Sequence, residues 1–240
     1  MPAAAPPSDG GSASSAAFVG LPVAGHGDAV VSVPLGPSRR RPVLVAAGGA
    51  GDTPEWQCEA WREIVDDRAF VLCPRGLALN PRSVPADRRY YYRNHFALER
   101  EVLAGLDALR ARFGDLVDGG PVVYAGFSQG ATMGMLVVLR NPSRLRRAIL
   151  IEGGSQKWDL GSAQRFRRSG GERVLLVCGQ AGCFEGARVS SEHLGAARVE
   201  ARAVWAQGEG HTYGGGVAVK VRENFDWLVQ GDSRWENAPR

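Results

Sequence analysis

Residues 42–47 are apolar at every position, with no polar side chain set between the hydrophobic ones. A half-buried strand alternates, so a strand that does not alternate must be covered on both faces. A mostly parallel sheet between two layers of helices meets that condition, and the rest of the chain supplies the parts. Residues 29–33, 69–73, 121–125, 147–151, 173–178 and 201–205 read as further strands. Between them lie helical stretches at 54–66, 95–113, 131–139, 185–197 and 217–229. The first has Thr53 as N-cap and Pro54 at its first position. The second repeats Leu98, Val102, Leu106, Leu109 and Phe113 at three- and four-residue steps, an apolar stripe for packing on a sheet. Alternation of this kind predicts an α/β fold with a parallel central sheet and helices on both faces.

The 240 residues suit one domain, with 17–240 as the folded unit. Residues 1–16, rich in Ala, Pro, Ser and Gly, read as a disordered leader, or as a linker left by a processed signal or anchor. Hydrophobic residues at 44% and charged residues at 22% match a globular core. No apolar stretch approaches the roughly 20 residues of a membrane helix. Apart from Arg39-Arg40-Arg41 the positive charge is scattered, so a net charge of +4 carries no expectation of a nucleic-acid partner.

Chemistry is concentrated in Gly126-Phe127-Ser128-Gln129-Gly130, a G-x-S-x-G sequence. An apolar strand precedes it and a helix-compatible stretch follows. A sharp strand-to-helix turn of this kind holds a serine hydroxyl at the carboxyl end of a sheet, and flanking glycines relieve the crowding. Such a hydroxyl needs a base. Of the four histidines, His26 precedes the core strands and His95 and His193 read as helical. His211 follows the last strand in a glycine-flanked loop, Gly208-Glu209-Gly210-His211-Thr212-Tyr213-Gly214. A second loop, Gly48-Gly49-Ala50-Gly51-Asp52-Thr53, directly follows the strand at 42–47. Its Ala50 N–H, with that of Gln129, is placed to stabilise an oxyanion.

These three segments together resemble the phospholipase/carboxylesterase family, which includes acyl-protein thioesterases. Its members carry H-G-x-G-D-T, G-F-S-Q-G-G and G-H where this chain has 48–53, 126–131 and 210–211. Gly48 replaces the first histidine and Ala131 the last glycine. The resemblance spans about 42–229 and implies the α/β-hydrolase fold, ester or thioester hydrolysis on a small-molecule acyl ester, and no metal or organic cofactor. Dienelactone-hydrolase-like and polyester-depolymerase-like enzymes share much of the pattern.

One part departs from the family. The loop that usually bears its aspartate corresponds to Gly179-Gln180-Ala181-Gly182-Cys183, which has no carboxylate. Two acids remain for orienting His211. Glu152 ends the preceding strand, and Glu185 lies just past the aberrant loop. Glu152 is the favoured candidate, since the longer side chain helps it bridge from the neighbouring strand. Tyr90-Tyr91-Tyr92, Trp158 and Tyr213 are candidates to line a substrate cleft. The connection between Glu152 and Arg173 is too short for a cap domain.

The four cysteines pair by proximity as Cys58 with Cys73 and Cys178 with Cys183. As disulfides they point to a periplasmic or secreted protein; as thiols, to the cytoplasm. The expected function is that of a serine carboxylesterase or thioesterase with Ser128 as nucleophile, His211 as base and Glu152 as acid. A serine peptidase of the same fold and a non-catalytic binding protein are the rival readings.

Overall fold

The computed structural model describes residues 17–36, 39–155 and 157–236; the expected leader lies outside them. The strands are β1 (Phe18–Leu21), β2 (Ala29–Ser32), β3 (Val43–Ala47), β4 (Phe70–Cys73), β5 (Leu77–Ala78), β6 (Tyr90–Tyr91), β7 (Val123–Phe127), β8 (Arg147–Ile151), β9 (Arg173–Cys178) and β10 (Glu200–Trp205). The helices are α1 (Pro54–Val65), α2 (His95–Phe113), α3 (Gln129–Arg140), α4 (Leu160–Arg168), α5 (Ala181–Ala196), α6 (Gly215–Val229) and the short α7 (Ser233–Glu236).

Eight strands form one sheet in the order β1-β2-β4-β3-β7-β8-β9-β10, and β5 pairs with β6 in a separate hairpin. From β4 to β10 every pairing is parallel, while β2 runs antiparallel to both β1 and β4. β3 is buried at all five positions, which is why it carries no polar residue. Successive side chains face opposite layers. Val43 and Val45 join the layer of α2, α3, α4 and α5, whereas Leu44 and Ala46 join that of α1 and α6. Burial of side chains the size of Phe166 or Phe225 contributes about 1.5–3 kcal/mol each.

From β3 the chain first adds β4 on one side, then returns through α2 to place β7 on the other. A sheet whose order reverses in this way leaves a crevice at the carboxyl ends of the two strands, where ligands settle. The loop after β3 and the turn after β7 meet there.

Both expected cysteine pairs are disulfides. Cys58 on α1 joins Cys73 at the end of β4 with Cα atoms 5.9 Å apart, and Cys178 joins Cys183 at 5.6 Å. Closing these loops restricts the unfolded chain by about 3 and about 2 kcal/mol respectively.

The differences from the sequence reading are local. β1 was not expected, and it puts His26 in a turn inside the sheet rather than ahead of it. α4 was also unexpected, although Asp159 and Ser162 cap it reciprocally. α5 begins at Ala181, four residues before the expected start, so Ala181-Gly182-Cys183 forms its first turn rather than loop. α3 likewise begins directly after Ser128, and β7 continues to Phe127.

Candidate active site

Ser128 is the first residue after β7. Its φ is +51°, a left-handed conformation that a side chain adopts only under constraint. The constraint is visible in the neighbouring glycines. A Cβ on Gly126 would stand 2.6 Å from Gly130 O, and one on Gly130 would collide with the carbonyl of Ala47. The Ser128 N–H donates to Ile151 O of the adjacent strand (2.9 Å), and that of Gly130 to Gly48 O (3.0 Å). The turn is thus clamped from both sides with its hydroxyl outward.

His211 reaches this hydroxyl from the loop after β10. Its Nε2 lies 2.8 Å from Ser128 Oγ, and its Nδ1 lies 3.2 Å from Glu152 Oε2. These partners assign the tautomer: Nδ1–H donates to the carboxylate, and Nε2 accepts from the serine. The His211 side chain is 41% exposed and that of Glu152 only 1%. The proton-accepting end therefore opens to solvent while the orienting end is sealed. Phe127 packs against the His211 ring at 5.1 Å and takes the Tyr213 ring edge-on at 4.8 Å.

Glu152 follows β8 as Ser128 follows β7, and its φ is +52°. Its second oxygen, Oε1, accepts the N–H groups of Gly179 and Gln180 (2.9 Å for the latter). The buried carboxylate thus has partners on both oxygens, as a buried charge requires. Glu185, the alternative acid, projects into solvent from α5, 69% exposed, and pairs with Arg188 at 3.5 Å.

The loop after β3 approaches the serine closely. A Cβ on Gly49 would meet the Phe127 ring at 3.0 Å and Ser128 Cβ at 3.2 Å. Gly51 N–H donates to Tyr90 O and Tyr90 N–H to Asp52 O, so the β5–β6 hairpin braces the loop. Gln129 contributes too, its Oε1 accepting Tyr92 N–H at 2.7 Å. Gln129 is the first residue of α3, so its N–H is one of the donors that a helix leaves without an intrahelical partner.

Asp52 was not singled out in the sequence, yet it ties two loops together. Its carboxylate accepts from Thr53 N–H (2.9 Å), Gln57 Nε2 (2.5 Å) and Tyr213 Oη (3.2 Å). Burial pushes this carboxyl up from its ordinary value, against the opposing pull of those bonds. Burial, with Asp52 alongside, also raises the Tyr213 phenol. The signal for such a role was an acid in a glycine loop two residues before the start of a helix, which is too common to stand out.

Of the other aromatics, Trp158 is buried edge-on against Phe166, and Tyr92 is buried with its hydroxyl on Pro74 O. Tyr92 nevertheless lines a small pocket with Gly48, Gly49 and the half-exposed Tyr90 and Tyr91, and Trp158 lines a separate one beside α5 with Glu185 and His193. Among the described residues, Glu152, Cys178 and Cys183 form the one cluster with metal-ligand spacing, and both its sulfurs are in a disulfide. No described helix is long and apolar enough to cross a membrane.

No family model matches the chain, and no curated protein sequence does. Solved structures do. TT1662 from Thermus thermophilus superposes with a TM-score of 0.63 at 16% identity, over 89% of this chain and 98% of that one. Est1E from Butyrivibrio proteoclasticus gives 0.62 at 17%, over 89% and 99%. A Bacillus cereus carboxylesterase gives 0.59 at 19%, over 83% and 93%. At such identities the likeness establishes architecture: this chain has the α/β-hydrolase fold.

Proposed function

We propose that the chain is a serine hydrolase that cleaves carboxylic esters or thioesters through an acyl-enzyme. The observation that carries this reading is the unbroken line from Ser128 Oγ to His211 Nε2 and from His211 Nδ1 to Glu152. Similar folds in an esterase and a carboxylesterase are in keeping with it.

In the first half-reaction, Ser128 Oγ attacks the acyl carbonyl while its proton passes to His211 Nε2. Glu152 faces the imidazolium that forms. Charge developing on the carbonyl oxygen is met by the N–H groups of Ala50 and Gln129, at the positive end of α3. His211 then returns the proton to the departing alkoxide or thiolate. Water attacks the acyl-serine by the same route, releasing the acid and restoring the hydroxyl.

The openness of the site favours substrates with exposed or bulky ends, since among the described residues α4 is the one helix between β8 and β9 and builds no cap. The test is labelling by a fluorophosphonate together with hydrolysis of p-nitrophenyl and thioester substrates. Label should map to Ser128, and Ser128→Ala should lose turnover by about 10⁴ to 10⁶. Hydrolysis within tenfold of the parent would remove the reading.

A further inference from the structure

The carboxylate of Glu152 is held by the segment that follows β9. Gly179 and Gln180, whose N–H groups grip Oε1, lie inside the small ring closed by Cys178 and Cys183. A carboxylate oxygen of Glu152 and both sulfurs lie within 4.8 Å of one another. The same segment touches the base-bearing loop. A Cβ on Gly179 would collide with Gly210 O and stand 3.0 Å from Gly210 N, immediately before His211. One turn therefore sets both ends of the Glu152–His211 hydrogen bond. Glycines at 179 and 182 give that turn little stiffness of its own, and Gln180 has no side-chain capping bond to fix the start of α5. The covalent constraint is the bridge.

The two bridges differ in access. Cys58 and Cys73 are both fully buried, whereas Cys183 is partly exposed at the start of α5 and its partner Cys178 is buried. A thiolate from solvent reaches the second bridge first.

We infer that the Cys178–Cys183 disulfide is a positioning element of the catalytic acid, and that opening it lowers turnover by releasing the two amides that hold Glu152. The inference rests on the reading of Glu152 as the acid of a serine hydrolase. A dithiol opens the bridge in a balanced exchange. Its thiolate attacks Cys183 Sγ, the S–S bond breaks and Cys178 leaves as thiolate. The second thiol then displaces Cys183 as the reagent closes its own disulfide. The protein disulfide is reduced and the dithiol oxidised.

The experiment uses the full chain with graded dithiothreitol. Peptide mapping identifies which bridge has opened, and circular dichroism follows the fold. As Cys178–Cys183 opens and Cys58–Cys73 persists, kcat should fall about 10- to 100-fold, the range of a misplaced catalytic group. KM should stay within twofold, and reoxidation should restore turnover. Cys178→Ala/Cys183→Ala should reproduce the loss in the parent but cost less than twofold in a Glu152→Gln background, because the bridge acts through that carboxylate. Equal cost in both backgrounds would overturn the inference, as would kcat within twofold after the bridge is shown open. Turnover lost only together with the fold would also overturn it. Failure of the underlying reading is distinguished earlier, by a parent whose hydrolysis survives Ser128→Ala or Glu152→Gln before any cysteine is altered, and it ends the inference as well.

Discussion

Ser128 and Glu152 occupy equivalent places on neighbouring strands: each is the first residue beyond its strand, with φ of +51° and +52° respectively. The register pairs Phe127 with Ile151, and Ser128 N–H donates to Ile151 O. Positive φ at a non-glycine residue costs about 1–3 kcal/mol and persists where surrounding structure imposes it. Here it turns both side chains toward the ring of His211.

If Glu152 orients that ring, Glu152→Gln should lower kcat by about 10⁴ with little change in KM, the size of effect seen when a triad imidazole is held in the wrong tautomer. Glu185→Gln, in solvent beside Arg188, should leave kcat within about twofold. Steady-state kinetics on one activated ester check both; near-equal losses would reopen the choice of acid.

Tyr213→Phe removes the bond between the histidine loop and Asp52 but keeps the ring against Phe127. Stability should fall by about 1 kcal/mol in urea denaturation. Turnover should fall with it while KM holds, because the loop after β3 and the loop bearing His211 lose their common tether. Tyr213→Ala should cost more, since the ring packing goes too.

Gly48→His would install the residue that the phospholipase/carboxylesterase pattern carries at this place, yet it should destabilise this chain. A Cβ there meets Asp52 Oδ2 at 3.0 Å, Asp52 Cβ at 3.1 Å and Gln57 Cγ at 3.2 Å. Overpacking of this kind costs about 1–3 kcal/mol, measurable as a lower midpoint in thermal unfolding without a gain in activity.

The raised Asp52 carboxyl has a pH consequence. Its folded value lies above the ordinary 3.8, so the native state holds this proton more tightly than the unfolded one. Stability from this group is therefore fully present below 3.8 and declines as pH climbs through the raised folded value. Asp52→Asn removes the decline. The stability difference between parent and Asp52→Asn should move against the parent as pH rises from about 3.8 toward neutrality. A flat difference in denaturant titrations across that range would refute the assignment.

The parallel strands were legible because burial on both faces forces apolar composition: β8 and β9 match the expected ranges residue for residue. β1 was not, because a four-residue antiparallel edge strand needs little apolar surface of its own. β5 and β6 are two residues each and are held by the loop they brace rather than by their own pattern. Gly182 concealed the first turn of α5, where the disulfide and packing override low helix propensity. Within the site, Ser128, His211 and Glu152 could be listed from chain order and strand ends. The amides of Gly179 and Gln180 could not, because backbone donors leave no mark in side-chain identity. The same holds for the Asp52–Tyr213 tether, which joins residues far apart in the chain.

The glycines after Glu152 bear on how chains like this one can be found. A Cβ on Gly153 would stand 2.5 Å from Ser128 O and 2.7 Å from Thr132 Oγ1, and Gly154 has φ of +68° with Ala131 O 2.7 Å from where its Cβ would be. In this chain the two residues after Glu152 therefore have no room for side chains, or the turn at Ser128 beside them is pushed away. A search keyed to an aspartate after β9 passes over such chains. A query for Glu-Gly-Gly at the end of the strand after the serine, followed by two cysteines spaced as 178 and 183, is the pattern that would gather them.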